Sequence, residues 1–349
     1  PHRHRPGPGP SRSSVRQDVS ESARDHAQGR GVTLVVGAGG LLGSGLVRRL
    51  TGRGEHVLVP GRVPWRDEDL ASEALSHALD ALVEATDGGP WRVAWCAGAG
   101  VTGTPQEVLD QEVRVYERFL EMLSARTAQL DPSLGAYFQA SSAGGVYAGG
   151  AQPPFTERSD VAPLAPYGRS KLVAEDLTRR FADAQGVASV IGRISNLYGP
   201  GQNLAKAQGL ISQLCKADLL GQPSLIYVSL DTIRDYLFVD DAAAMVAALL
   251  DQAPHRLAGT GTTHVTKILA TQRPVTIGAL IGECRRVFRR RPRVVLGASP
   301  VARFQALDLR MRSVVWTDVD ALATTTLAAG VHQSLLDIAR GLRAPVADR

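Results

Sequence analysis

The sequence predicts an α/β fold, a Rossmann-type doubly wound parallel sheet. Two observations carry this prediction. Short apolar, β-branched runs alternate with longer segments of helical periodicity, which is typical of parallel strands covered by helices. The first of these runs leads through a glycine cluster into a helical segment, as dinucleotide-binding domains begin. The chain has 349 residues, 44% of them hydrophobic, so it is long enough for one large domain with a smaller lobe.

The predicted elements alternate along the chain from residue 32 onward. Strands are predicted at 32–36, 56–60, 91–100, 136–142 and 188–195. Helices are predicted at about 67–84, at 104–123 and around the segment LAPYGRSKLVAE at 164–175. The second of these helices is expected to have Thr104 as its N-cap and Pro105 at its first position. This order predicts a parallel sheet with helices on both faces.

The distribution of charge argues against a nucleic-acid partner. Residues 1–30 are rich in Pro, Gly, Ser and Arg, which predicts a disordered leader. This leader carries six arginines and three acids, so it accounts for three of the five net positive charges. The remaining chain is close to neutral, unlike a nucleic-acid-binding domain. The basic run at 284–293 contains one phenylalanine, which favours a solvated helix end over a surface that stacks bases.

The cysteines and the apolar segments bear on where the protein works. Cys96, Cys215 and Cys284 are widely spaced and match neither a metal-binding pattern nor a disulfide framework, and no metal site is predicted. No apolar run is long enough to span a bilayer, and the N-terminal residues show no signal-peptide pattern. We therefore expect a cytoplasmic protein without a membrane partner.

The segment VVGAGGLLGSG places Gly37, Gly40 and Gly43 between the first strand and the first helix. A glycine turn lets the backbone approach a pyrophosphate, and the helix N-terminus supplies unpaired N–H groups and a positive dipole end. Glycines at this spacing also occur in tight structural turns, but their place at the first strand–turn–helix favours a dinucleotide. Leu41 and Leu42, which begin the helix, are predicted to line the same site.

The end of the second strand predicts which dinucleotide is preferred. An acid at this point would bind the ribose 2′-hydroxyl of NAD, but the strand runs into Pro60, Gly61 and Arg62. Arg62 is suited to bind a 2′-phosphate, although it is also explained as an ordinary loop arginine that binds no ligand. NADP is therefore slightly favoured over NAD.

A tyrosine and a lysine share one face of the helix in LAPYGRSKLVAE. Tyr167 and Lys171 are four residues apart, and Pro166 suits the first helical turn. A free tyrosine is a poor base at neutral pH, and a nearby ammonium stabilises its phenolate. The same lysine can hydrogen-bond a cofactor ribose. The spacing also occurs often by chance, so it becomes informative only together with other motifs.

Two serines end the strand that precedes this helix. In QASSAGGVYAG, a hydroxyl of Ser141 or Ser142 could bind a substrate oxygen and hold it for Tyr167. Either serine alone is explained as well by a structural role at the strand end. A catalytic role for one of these serines is favoured because the glycine turn precedes them in the chain and the tyrosine–lysine pair follows them.

The order of these motifs resembles that of the extended short-chain dehydrogenases/reductases, specifically the NAD-dependent epimerase/dehydratase group typified by UDP-glucose 4-epimerase. The segment GRISNLYGPGQN is similar to a family element whose asparagine, here Asn196, contacts the sugar nucleotide. DTIRDYLFVDDAA resembles the family element whose arginine, here Arg234, binds the nucleotide diphosphate. In WCAGAG, where the family usually has His-Leu-Ala-Ala, Ala97 and Gly98 are implied to contact the cofactor, and Thr102 just beyond to contact the sugar.

Two features depart from the family pattern. The family's catalytic serine lies three residues before the valine of Val-Tyr, where this chain has Ala143. A one-residue gap restores Ser142 to the catalytic position, with Ser141 as the alternative. Dehydratases of the family often have an Asp-Glu pair after the hydroxyl residue, where this chain has Ala143 and Gly144, so dehydration by that route lacks its proton donors.

The resemblance also implies a division of the chain and an activity. The Rossmann domain is expected over 31–196, completed by about 231–258, and a smaller C-terminal substrate-binding lobe over 197–230 and 259–349. The implied activity is NAD(P)-dependent oxidoreduction at a sugar carbon, C4 of a nucleoside-diphosphate hexose, by a homodimeric nucleotide-sugar epimerase. An NADPH-dependent reductase of nucleotide 4-keto sugars shares this apparatus and is the first alternative. A non-catalytic NAD(P)-sensing protein is the more remote one.

Overall fold

The computed structural model describes residues 31–205, 209–298 and 304–343. The leader predicted at 1–30 lies outside the described residues. None of the described helices is long and apolar enough to cross a membrane.

Strands and helices alternate through the first two thirds of the chain. The strands are β1 Val32–Val36, β2 His56–Leu58, β3 Trp91–Trp95, β4 Gly135–Ser142, β5 Ala188–Ile194, β6 Asn196–Tyr198, β7 Ser224–Ile226, β8 Ile233–Arg234, β9 Tyr236–Phe238, β10 His264–Leu269, β11 Val275–Thr276 and β12 Val294–Leu296. The helices are α1 Leu41–Gly52, α2 Glu68–Thr86, α3 Gln106–Arg126, α4 Ala143–Tyr147, α5 Pro166–Gln185, α6 Leu210–Leu219, α7 Val239–Leu257, α8 Ile277–Phe288 and α9 Leu327–Arg343.

Six strands form one parallel sheet, in the order β10-β5-β4-β3-β1-β2. In its register, Leu34 of β1 lies between Leu58 of β2 and Val93 of β3. The chain first moves outward from β1 to β2 and then crosses back to β3, so the strand order reverses between β1 and β3. In such sheets the ligand crevice opens at this reversal, beyond the carboxyl ends of the strands. The predicted Rossmann-type parallel sheet is confirmed.

Helices cover both faces of the sheet with apolar side chains. On one face α1 and α7 bury residues such as Leu46 and Met245 against the strands. On the other face α2, α3 and α5 bury Leu75, Phe119 and Phe181. Each fully buried side chain of this kind contributes about 1.5–3 kcal/mol relative to exposure. The loops at the carboxyl edge of the sheet are therefore carried by a well-packed frame.

A smaller lobe follows, with an apolar core of its own. Helices α6, α8 and α9 contribute Ile211, Leu280 and Val331 to this core. Strands β7 and β12 pair in the lobe, as do β8 and β11. The lobe adjoins the sheet through β6 and β9, which pair in parallel directly after β5 and directly before α7. The crevice thus lies between the parallel sheet and the lobe.

Strand β10 differs from the predicted division of the chain. It falls in the segment 259–349 assigned to the lobe, but it pairs in parallel with β5 and forms an edge of the central sheet. The strand was not predicted, and it contains Lys267, although lysine is rarely buried. This ammonium is buried because it forms an ion pair with Asp320 at 2.5 Å.

Candidate active site

The glycine turn between β1 and α1 is so tight that Gly37 and Gly43 have no room for a side chain. Gly37 has a φ of +88°, and a Cβ on it would lie 2.5 Å from the backbone nitrogen of Ala97. A Cβ on Gly43 would lie 2.2 Å from the carbonyl oxygen of Gly37. Gly40 is the N-cap of α1 and offers no side-chain cap. The first N–H groups of α1 are therefore available to an anion, as a bound pyrophosphate requires.

Replacing Gly43 by alanine is expected to destabilise the protein by about 1–3 kcal/mol, because the new methyl group collides with the backbone of Gly37. Gly52 at the other end of α1 is the matched control. A Cβ there meets nothing within 4 Å, so Gly52→Ala should raise stability by about 0.5–1 kcal/mol. Urea unfolding of both variants measures the difference. Equal effects would show that the turn tolerates a side chain.

Two adjoining cavities open at the carboxyl edge of the sheet. The first, which we call the Trp65 cavity because Trp65 lines it, has a volume of about 320 Å³. The second, which we call the Tyr167 cavity because Tyr167 lines it, has a volume of about 480 Å³. Residues that line both include Gly39, Gly40, Cys96, Ala97, Gly98 and Lys171. The glycine turn and Lys171 therefore lie where the two cavities meet. A long ligand can pass from one cavity to the other, and a second ligand can enter beside it.

Tyr167 and Lys171 lie in the first two turns of α5, which begins at Pro166. Lys171 Nζ lies 5.5 Å from the centroid of the Tyr167 ring. A Cβ on Gly98 would lie 3.2 Å from the same Nζ, so the ammonium sits against the loop that follows β3. In this position it can stabilise a phenolate on Tyr167 and also bind a ligand in either cavity.

The two serines at the end of β4 have different environments. Ser141 is buried, and its hydroxyl donates to Glu175 Oε1 at 2.6 Å. Ser142 is the N-cap of α4, and its Oγ accepts from the backbone N–H of Gly145 at 3.1 Å. A Cβ on Gly145 would lie 3.1 Å from Tyr167 Cε1 and 3.3 Å from Ser142 Oγ, so the tyrosine ring and this hydroxyl are close. Ser142 still has its own O–H to donate to a ligand in the Tyr167 cavity.

A buried ion-pair network, which sequence reasoning missed, supports the tyrosine–lysine helix. Glu175 lies one turn after Lys171, and Arg193 of β5 donates to both of its oxygens, at 2.9 and 2.6 Å. Arg193 also donates to the Tyr147 hydroxyl at 2.6 Å. Burial raises the pKa of Glu175, but the hydrogen bonds from Arg193 and Ser141 outweigh it and hold that pKa below its usual value. The network therefore joins α5 to β4, β5 and α4 directly behind the candidate site.

Two further polar side chains missed from the sequence, Glu112 and Gln139, line the Trp65 cavity. Glu112 Oε1 accepts from the backbone N–H of Ala99 at 2.9 Å, which ties α3 to the loop after β3. Gln139 is buried in β4, and among the described residues its Oε1 has no hydrogen-bond partner. In the sequence, each is only a polar residue at a position that faces the core. That pattern does not show which group such a residue contacts in the folded chain.

Most of the predicted site residues meet in the same crevice. The Tyr167 cavity is lined by Leu41, Leu42, Ala97, Gly98, Thr102, Ser142, Tyr167, Lys171 and Asn196. Gly37 lines the Trp65 cavity, and Gly43 supports the turn from within α1. Arg62 is exposed in the loop that follows β2.

Arg234 is buried and lies outside the residues that line the two cavities. Its guanidinium donates to the carbonyl of Ile233 at 2.8 Å and to Gln305 Oε1 at 3.2 Å. Burial lowers its pKa below the usual value, and among the described residues no carboxylate forms an ion pair with it. The charge of Asp308 opposes this lowering, and Tyr236, two residues after Arg234, lines the Tyr167 cavity.

The glycine turn at an uncapped helix and the crevice at the strand reversal define a dinucleotide-binding domain of the Rossmann type. The model of the NAD dependent epimerase/dehydratase family matches residues 33–259, more than half of the chain. The chain belongs to this family.

Curated relatives and solved structures give the same family. UDP-glucose 4-epimerase of Azospirillum brasilense is 29% identical over 62% of this chain and 68% of its own length. The dTDP-4-dehydro-6-deoxyglucose reductase of Escherichia coli is 34% identical, but the match spans only 33% of this chain and 36% of that enzyme. The structure of MoeE5 in complex with UDP-glucose and NAD superposes with a TM-score of 0.69 and 25% identity, over 89% of this chain and 100% of MoeE5.

Proposed function

We propose that the protein is a nucleotide-sugar epimerase that uses NAD(P) for hydride transfer at C4 of a nucleoside-diphosphate hexose. The observation that carries this proposal is the position of Tyr167, Lys171 and Ser142. Lys171 lines both cavities, its ammonium lies 5.5 Å from the centroid of the Tyr167 ring, and Tyr167 and Ser142 line the second, larger cavity. A cofactor in the first position and a sugar in the second would meet at these three residues.

The residues of the chain fit a dinucleotide and can handle the protons of the reaction. The glycine turn and the start of α1 would hold the pyrophosphate, and Lys171 would hold the ribose nearest the nicotinamide. When bound, the nicotinamide supplies the acceptor and donor of hydride. Tyr167 would remove the proton from the sugar hydroxyl and later return it, with the Lys171 ammonium stabilising its phenolate. Ser142 would donate a hydrogen bond to the same sugar oxygen and hold it in line.

Arg234 is the residue that we propose for the charged end of the substrate. Arg234 is a buried cation with no ion-pair partner among the described residues, and burying such a charge is costly unless an anion compensates it. We propose that the diphosphate of the nucleotide sugar compensates it. Asn196 and Thr102, which line the Tyr167 cavity, would then contact the sugar.

Reduction of a nucleotide 4-keto sugar with NADPH is the second candidate function, favoured by Arg62 and by the partial match to the reductase of Escherichia coli. A dehydratase is less well supported. Ala143 is fully buried and a Cβ on Gly144 would meet Leu309 at 3.7 Å, so neither position offers an acid for the loss of water. A non-catalytic sensor would leave Tyr167 without a role. The homodimer and the cytoplasmic location stay predictions from the sequence.

A panel of nucleotide sugars and nucleotide 4-keto sugars, each with and without NADPH, tests the proposal. A sugar isomer formed without net consumption of cofactor is expected for the epimerase. Stoichiometric oxidation of NADPH with a 4-keto sugar would instead show that the protein is the reductase. Tight cofactor binding with no turnover on any sugar would favour the sensor.

The preference for NADP depends on Arg62. If this exposed guanidinium binds the 2′-phosphate, Arg62→Ala should weaken NADPH binding by about tenfold or more, because a charged hydrogen bond contributes about 1.5–3 kcal/mol. NADH binding should stay the same, since NADH lacks that phosphate. Arg49→Ala, an exposed arginine far along α1, is the control. Fluorescence titration with both cofactors measures the ratio, and equal losses for NADPH and NADH would refute the assignment.

A further inference from the structure

Within residues 31–205, 209–298 and 304–343, the sheet has no strand at the position next to the adenosine end of the cofactor, where Rossmann-type domains usually have one. In the usual order, a third strand lies outside the second. Here β2 is the edge strand, and the chain passes from β2 to β3 through α2 alone. Residues 59–67, between β2 and α2, therefore border the region where that strand would end.

This loop presents an indole at the mouth of the Trp65 cavity. Trp65 is 41% exposed, and its ring meets Trp95 edge to face, with centroids 6.1 Å apart and planes at 87°. In an edge-to-face contact the edge of one ring meets one face of the other. Trp95 therefore leaves at least one face of the Trp65 ring uncovered. The same cavity is lined by Gly37 and Gly40 of the glycine turn. A ligand anchored at the turn can thus reach the indole.

The loop is held in place from α3, which gives the indole a defined position. Gln111 donates through Nε2 to the carbonyl oxygen of Arg66 at 2.9 Å and to that of Trp65 at 3.4 Å. The first turn of α2 is tied to the same helix, because Arg114 donates to Glu68 at 2.8 Å. Asp67 caps α2 through its side chain. Trp65 is therefore held through its own carbonyl group and through the residues that follow it in the chain.

The lining of the cavity suits a flat, mainly apolar group. Leu109 and Val113 of α3 add aliphatic surface to the two indoles. Purine bases stack favourably on indole rings, and this stacking needs no hydrogen bonds to the edges of the base. Building on the proposed function, we propose that Trp65 is the stacking platform for the adenine base of the dinucleotide, at the place where the usual outer strand is absent.

Binding measurements on Trp65→Ala and Trp65→Phe test this role without relying on turnover. The probes are NADPH, NADH, 5′-AMP and reduced nicotinamide mononucleotide, which has no adenosine. Trp65→Ala should weaken binding of NADPH, NADH and 5′-AMP by about fivefold to 150-fold, the range that alanine substitution of a stacking aromatic residue gives. Trp65→Phe should keep most of the affinity, and reduced nicotinamide mononucleotide should bind all forms equally. Calorimetric titration gives each Kd.

Leu70→Ala is the control, because Leu70 is exposed on the neighbouring helix α2 and does not line the cavity. The inference is overturned if both Trp65 variants bind 5′-AMP and NADPH as the unchanged protein does. It is also overturned if reduced nicotinamide mononucleotide loses affinity to the same extent, since that would show a general collapse of the site. If the unchanged protein binds neither NADPH nor NADH, the proposed function itself fails. The two failures are thus distinguishable.

Discussion

Replacing Tyr167 by phenylalanine is expected to lower kcat between about 10²-fold and 10⁴-fold, the range usually lost with a general acid–base group. The phenyl ring keeps the contacts at the start of α5, so only the proton-carrying hydroxyl is removed. Binding of the cofactor should stay within about a factor of two, because the glycine turn and Lys171 are unchanged. Steady-state kinetics and a cofactor titration on the same preparation measure both quantities.

Tyr227→Phe is the matched control for this experiment. Tyr227 is 44% exposed in the lobe after β7, so loss of its hydroxyl should change neither kcat nor cofactor binding. Unchanged turnover in Tyr167→Phe would remove Tyr167 from the mechanism. A parallel loss of cofactor binding would instead show that the tyrosine supports the fold of the crevice.

Replacing Glu175 by glutamine is expected to destabilise the protein by about 3–5 kcal/mol, because it leaves the buried Arg193 guanidinium without its counter-ion. Asp176→Asn on the same helix is the control. Asp176 pairs with Arg180 at 2.9 Å, but both side chains are more than half exposed, and such pairs contribute about 0.3–0.5 kcal/mol. Urea unfolding of both variants compares the two pairs. Similar losses would show that the buried network is not the main tie between α5 and the sheet.

The same network predicts a pH dependence of stability. The pKa of Glu175 in the folded protein lies below its ordinary value of 4.5, because its hydrogen bonds to Arg193 and Ser141 outweigh burial. The charge therefore stabilises the fold fully above that ordinary value, and this contribution is lost as the pH falls through the folded pKa. The stability difference between the unchanged protein and Glu175→Gln should be constant near neutrality and shrink in acid. A difference independent of pH would contradict the assignment.

The sequence predicted the elements whose signals are local. The glycine spacing identified the turn at Gly37, and the structure gives its reason, since a Cβ on Gly43 would collide with that turn. The alternation of apolar runs and helical segments located β1 and β4 to within one residue, whereas β3 ends at Trp95, five residues before its predicted end. Thr104 was wrongly expected to cap α3. The cap position is Pro105, and the Thr104 hydroxyl accepts from the N–H of Val101 at 2.8 Å in the preceding turn.

The features that the sequence did not predict depend on partners far apart in the chain. Lys267 is buried because Asp320 reaches it, and nothing near Lys267 in the sequence indicates this. Glu175 follows Tyr167 and Lys171 at helical spacing, but its partner Arg193 lies on the next strand. Local patterns therefore give the strands, the turn and the catalytic candidates, while the network that positions those candidates emerges only from the folded chain.

We propose that hydrogen moves as hydride between a bound nicotinamide and a sugar carbon, and that Tyr167 moves only the hydroxyl proton. A nucleoside-diphosphate hexose carrying deuterium at C4 tests this directly when it is incubated with the cofactor-loaded enzyme in ordinary water. Mass spectrometry and proton NMR then locate the deuterium in the isomer that forms. The proposed epimerase should retain the deuterium at C4. Complete replacement by solvent hydrogen during turnover would indicate proton abstraction at carbon and would contradict the proposal.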